Sequence, residues 1–204
     1  MIFDKNSLKI TNKADSSIHF EFNVLDAIKL IKNTPIDLKL PVSEEWRAAR
    51  QECVSNIEVY KPFDWTFSTE YCGTFSDSFR EEATTETLDR KFLSKLEPIK
   101  FFVELPLFED ELGDNGLSEL HLKIRVMPSG FFILLRFFLR VDQLILRIYD
   151  TRLHFKYGEN YLLKDVYQCE SKEWSSDFER ITLWEADPAV LKVINHKTTK
   201  LYFK

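Results

Sequence analysis

Asp150 and Arg152, in the run IYDTR, are the residues whose types and spacing most readily suggest chemistry. Two positions apart on a strand, they share a face with Leu144, Leu146 and Ile148. Two uses fit that placement. One is a structural ion pair at a strand end. The other is a polar anchor for a partner peptide, with Tyr149 close by. A basic set, Lys123, Arg125, Arg136, Arg140 and Arg147, also falls on outward-looking strand positions. Their stems can cover the sheet while their heads reach water, or the heads can meet acidic groups on a partner. Arginine interleaved with phenylalanine and tyrosine is the composition of binding hot spots.

Other chemistries find less support. The acidic turn Glu109 to Gly116, EDELGDNG, lacks the ligand spacing of an EF-hand loop. It is better read as a hairpin loop in which Asn115-Gly116 supplies the turn. The four histidines, His19, His121, His154 and His196, form no HxH or HExxH pattern, so no zinc site is expected. His121 is expected in solvent on the polar face of its strand. Five glycines assemble no phosphate-binding loop, and no GxSxG elbow is present. Cys53, Cys72 and Cys169 are far apart and form no CxxC pair, which suggests reduced thiols in a cytosolic protein. An enzyme reading would need carboxylates such as Glu109, Asp110 or Asp150 to act as a hydrolase site, with no visible nucleophile or cofactor loop. No metal or cofactor is expected.

The elements that must position these residues are mostly strands. Ile99 to Arg152 contains four apolar runs cut by polar turns, the pattern of an antiparallel meander. Ile99, Phe101, Val103, Leu105 and Leu107 alternate on one face, then Leu120, Leu122, Ile124 and Val126. Phe131, Ile133, Leu135, Phe137 and Leu139 follow after the turn Pro128-Ser129-Gly130. Leu144 to Arg152 returns after Asp142-Gln143, and Tyr161 to Cys169 is a further strand. Upstream, Leu8 to Asn23 reads as two short strands around Ala14-Asp15-Ser16-Ser17, and Asn23 can cap a helix through Lys32. A strand over Ile36–Leu40, a helix over Ser43–Glu52, an aromatic strand over Asp64–Phe75 and a short helix over Asp89–Leu96 complete the outline. Asp187-Pro188 is expected to start a short last helix. The tail after Ser171 carries little pattern.

The 204 residues favour a single domain, with 44% hydrophobic and 30% charged residues and eighteen phenylalanines for a rigid aromatic core. A net charge of −5 argues against a bulk nucleic-acid binder. The run FFILLRFFLR is broken by Arg136 and Arg140 and is too short to span a bilayer. No signal peptide is visible at the N-terminus. The expected fold class is α+β: one domain, with an antiparallel meander in one or two packed sheets and flanking helices.

The runs FEFNVLDAI (20–28), KPFDWTFSTEYCGT (61–74), IKFFVELPLFEDEL (99–112), LKIRVMPSGFFILLRFFLRVD (122–142) and LRIYDTRL (146–153) closely resemble the TIPRL family, the TIP-forty-one-like regulators of TOR signalling. The likeness runs from about Leu8 to Lys172. It implies an α+β domain over residues 1–172, with 173–204 a divergent segment packed on it or extending it. The resemblance implies an N-terminal extension, common in the family, that is expected to be largely missing here. The resemblance implies a non-enzymatic regulator in the cytoplasm, and in the nucleus as a second location. Its implied partner is the catalytic subunit of a type 2A protein phosphatase, with a phosphatase-associated TOR-pathway protein as a further one. It also implies that a cleft grips the phosphatase's C-terminal tail. Carried over by motif, Asp26, Ile148 and Asp150 belong to that cleft, with Leu88 and Tyr161 less clearly aligned. Arg147 and Arg152 join them from the basic face. The alternative is a β-rich scaffold for another signalling protein.

Overall fold

The computed structural model describes residues 1–30, 48, 69–94 and 97–203. The strand expected over Ile36–Leu40, most of the helix expected over Ser43–Glu52, and Cys53 lie outside them.

Alternation of β-formers builds two antiparallel sheets. The smaller has the order β1 (Ser7–Thr11), β2 (His19–Asn23) and β3 (Thr74–Phe75). The larger has seven strands, which are β4 (Phe79–Ala83), β5 (Phe101–Asp110), β6 (Gly116–Met127), β7 (Gly130–Val141), β8 (Ile145–Lys156), β9 (Tyr161–Ser171) and β10 (Lys192–Phe203). Five of them form the expected meander, and the full order is β4-β10-β9-β8-β7-β6-β5. Among the described residues, the helices bounded at both ends are short: α1 (Val24–Lys29), α2 (Arg90–Leu93) and three single-turn pieces. The described fold is therefore dominated by its sheets, and the helical half of the α+β expectation is reduced to minor elements. Of the aromatic strand expected over Asp64–Phe75, the described part forms β-structure only at Thr74–Phe75.

The core lies where the inner face of the large sheet meets the small one. Leu120, Leu122, Ile133, Leu135, Phe137 and Leu139 are buried there with Phe20 and Phe22. Phe20 stacks on Phe75 at 5.5 Å between centroids, and Phe79 meets Phe203 edge-on at 5.8 Å, so rings rather than flexible chains fill the seam. Asn23 ends β2 and starts α1, its side chain accepting from the Asp26 N–H at 2.8 Å.

The edge strand β5 departs from strict alternation. A bulge between Pro106 and Phe108 lets consecutive residues, Leu107 and Phe108, both turn inward. Its open edge is partly covered by the N-terminus, where the Phe3 N–H donates to the Leu107 carbonyl and the Glu109 N–H to that of Met1. Ile99 and Phe101, expected on the buried face, are exposed where this edge begins.

Two sequence expectations fail on the outer face of the large sheet. His121, expected in solvent, and Arg136, expected to reach water or a partner, are both buried, because the segment before β10 folds back over them. Leu183, Ala186 and Leu191 pack there on Phe138, Leu146, Ile148 and Cys169 to form a second apolar cluster. The acidic loop after β5 joins it to β6 as a hairpin, through a single 3-10 turn at Leu112–Asp114 with Leu112 buried.

Candidate functional site: a cleft on the outer sheet face

Four neighbouring strands bring a row of charges together in register. Arg136 on β7 lies opposite Asp150 on β8, Arg152 on β8 opposite Asp165 on β9, and Asp165 opposite Thr198 on β10. Arg136 donates to both Asp150 oxygens, from Nε at 2.7 Å and Nη2 at 2.8 Å, which is a bidentate pair. Its Nη1 donates to the carbonyls of Leu183 and Ala186 at 2.9 and 3.1 Å. The same guanidinium thus ties the sheet to the strap that covers it. Arg152 donates to Asp150 Oδ2 at 2.7 Å and to Asp165 Oδ2 at 3.3 Å. Asp165 also accepts from the Thr198 hydroxyl at 3.0 Å and lies 2.8 Å from His196 Nε2.

Beyond Arg152 this row opens into a cavity of about 940 Å³. Strand residues Arg152, Lys156, Asp165, Tyr167 and His196 line it from the sheet. The 85–89 segment after β4, with Lys91 of α2, lines it from one side, and Asp187–Ala189 from the other. The Arg152 guanidinium sits 5.5 Å from the Tyr167 ring centroid. Cations (Lys91, Arg152, Lys156) and carboxylates (Glu86, Asp89, Asp165, Asp187) alternate around it. That lining suits a peptide, which offers carbonyls, amides and both signs of charge.

Of the residues singled out from sequence, Leu88 and Arg152 line this cavity directly. Asp150 is 1% exposed and reaches the cavity only through Arg152, so it positions the guanidinium instead of meeting a partner itself. Tyr161 stands next door, its hydroxyl donating to the Glu86 carboxylate at 3.1 Å. Three others are elsewhere. Ile148 is wholly buried beneath the strap. Arg147 is paired with Glu170 at 2.7 Å. Asp26 lies at the start of α1, bound to Asn23, Lys29 and the Thr74 hydroxyl. Those bonds, the one from Lys29 first, hold its carboxyl down at about 2.

Lys156, Tyr167 and His196 were missed. Continuing the two-residue alternation from Asp150 and Arg152 along β8 would have reached Lys156. His196 needed β10, which the sequence reading did not contain. The arrangement holds no activated thiol, since burial pushes Cys169 up to about 12.

Comparison with known proteins decides the family. The model of the TIP41-like family matches residues 1–177. This chain belongs to the TIP41-like family. The TIP41-like protein of Homo sapiens is 45% identical over 175 residues, which is 84% of this chain and 64% of that protein. The TIP41-like protein of Dictyostelium discoideum is 37% identical over 217 residues, covering 100% of this chain and 76% of its own length. The protein of Saccharomyces cerevisiae named type 2A phosphatase activator TIP41 is 35% identical over 191 residues, 84% of this chain and 52% of that protein. The chain therefore spans less than two thirds of the human and budding-yeast relatives.

Proposed function

We propose that this TIP41-like chain is a regulator that binds the catalytic subunit of a type 2A protein phosphatase and carries no catalytic chemistry of its own. The observation that carries the reading is its family membership with two yeast relatives named type 2A phosphatase activators. The cleft bordered by Leu88, Arg152 and Lys156 is the place where we put the phosphatase's C-terminal tail. An extended tail would lie across the ends of β8 to β10, with its polar groups met by Arg152, Lys156 and Tyr167. Leu88 offers an apolar contact at the rim. Such a grip acts sterically, by competing with other subunits for the catalytic subunit. A link to TOR signalling through a phosphatase-associated protein, and residence in the cytoplasm and nucleus, belong to the same proposal.

Calorimetry of the full chain with a type 2A catalytic subunit, intact or lacking its tail, tests it. The expected result is a 1:1 complex at micromolar concentration or below that needs the tail. Arg152→Ala and Leu88→Ala, each checked for fold by circular dichroism, should weaken it at least about tenfold, as loss of an anchor of about 1.4 kcal/mol or more implies. Absence of a complex at micromolar concentration overturns the function. A complex indifferent to the tail and to both substitutions overturns the cleft.

A further inference from the structure

Glu109 near the end of β5, with Glu119 and His121 on β6, forms a second polar cluster away from the cleft. Glu109 and Glu119 are directly opposite across the β5–β6 ladder, and His121 follows two residues after Glu119, on the same face. One ligand atom from each of the three lies within 4.8 Å of the other two. Among the described residues, this is the one group of three or more His, Cys, Asp and Glu side chains that converges so closely.

Three features need a common cause. Like charges directly opposite on neighbouring strands destabilise a sheet, yet two glutamates are paired there. His121 is only 8% exposed, and neither ring nitrogen has a hydrogen bond of acceptable geometry. Its Nε2 nevertheless lies 3.0 Å from Glu109 Oε1. Ligands on a tetrahedral zinc ion at about 2.0–2.1 Å are separated from one another by about 3.3 Å. The 3.0 Å Nε2–Oε1 separation is a little shorter than an edge of such a tetrahedron, and the Glu119 oxygen lies within 4.8 Å of both atoms. The other ring nitrogen, Nδ1, lies 3.9 Å from Glu104 Oε1, beyond hydrogen-bond distance, and that oxygen accepts from the Trp184 indole N–H instead.

We propose that Glu109, Glu119 and His121 bind a divalent transition-metal ion of the zinc class, with a fourth position open to solvent beside half-exposed Glu109. Neutral imidazole and carboxylate suit that class of ion. Of the neighbouring cations, Lys123 pairs with Glu104 at 3.2 Å, while Arg140 lies 2.8 Å from Asp142 and its charge also acts on Glu119. Trp184 from the strap meets the His121 ring edge-on at 6.0 Å and shields the site. A bound ion would thus brace the β5 edge against the β6 strand that the strap covers.

The test is calorimetric titration of zinc into the chelator-treated full chain at neutral pH, with thermal unfolding followed alongside. One site of micromolar affinity or better is expected, with a rise in the unfolding midpoint. Glu119→Gln and the more exposed Glu109→Gln should each weaken zinc binding at least tenfold and remove the thermal shift. Cobalt in place of zinc should show no sulfur-to-metal charge-transfer band, since no cysteine takes part. No zinc binding, binding retained in both folded variants, or a thiolate band with cobalt would each overturn the site. Phosphatase binding is not part of these readouts, so the two proposals fail independently.

Discussion

Asp150 and Asp26 show how differently two aspartates carried over from one motif set can act. Asp150 has almost no exposure and lies between two guanidiniums, each within 2.8 Å. Asn at this position keeps the shape and removes the charge, leaving Arg136 and Arg152 facing each other in a buried site. Breaking a buried pair from one side typically costs about 3–5 kcal/mol. Asp150→Asn is therefore expected to lower unfolding free energy in urea by about that amount, and to loosen the strap that Arg136 holds. Asp26→Asn should cost about 1 kcal/mol or less, because its contacts are those of a half-exposed helix start. Equal losses for the two would contradict this assignment. A loss of phosphatase binding in Asp150→Asn would report the position of Arg152, since Asp150 itself is out of reach.

At the scale of elements, the prediction concerns β10. Leu201 is 2% exposed on the inner face, opposite Leu162 of β9 and Glu81 of β4. Leu201→Ala should destabilise the chain by about 2–5 kcal/mol, the range for emptying a buried leucine site. A change below about 0.5 kcal/mol by urea unfolding would mean that this strand is not part of the sheet. β10 is not legible in the sequence, for a physical reason. Its first half, KVINHK, is exposed on both faces, so burial imposes no alternation there. The meander was legible because Phe131 to Leu139 and Leu120 to Val126 each pack one face on the core, which forces a period of two. The bulge at Pro106 hid the two inward residues of β5. The charged row was visible as residues, but its burial was not. Arg136 and His121 look like solvent-facing residues until the strap at 181–191 covers them, and that strap has no periodic signal.

For the whole molecule, the buried histidine His154 sets the response to acid. It is 4% exposed on β8, packed against the Phe92 ring at 5.4 Å, with its Nε2 lacking a hydrogen bond. Burial is the main cause, and Lys156 the second, that holds its pKa down at about 4 against 6.5. Asp89 and Glu86 oppose the shift without cancelling it. In the unfolded chain the imidazole takes up a proton below about pH 6.5, whereas in the folded chain it does so only below about 4. Stability is therefore lost as pH falls from 6.5 towards 4, by about 2 kcal/mol between pH 7 and pH 5 from this residue alone. His121 is shifted in the same direction and adds to the loss. Below pH 4 the carboxylates take over, because Asp26, held at about 2, contributes stability only while it stays ionised. Urea unfolding at pH 7 and pH 5 separates these contributions. His154→Phe, which keeps the ring contact with Phe92, should lose about 2 kcal/mol less than the parent chain over that interval. An unchanged difference between the two pH values would show that His154 titrates alike in both states. The window matters for function as well as folding. His154 lies in the small pocket beside Glu86, Lys156 and Tyr161, against the wall of the proposed tail cleft. Acid that drives a proton onto it would disturb the Phe92 contact and the 85–91 segment together. The proposed phosphatase binding should therefore hold from pH 7 to pH 5, where the folded chain keeps His154 neutral, and decline only as pH approaches 4.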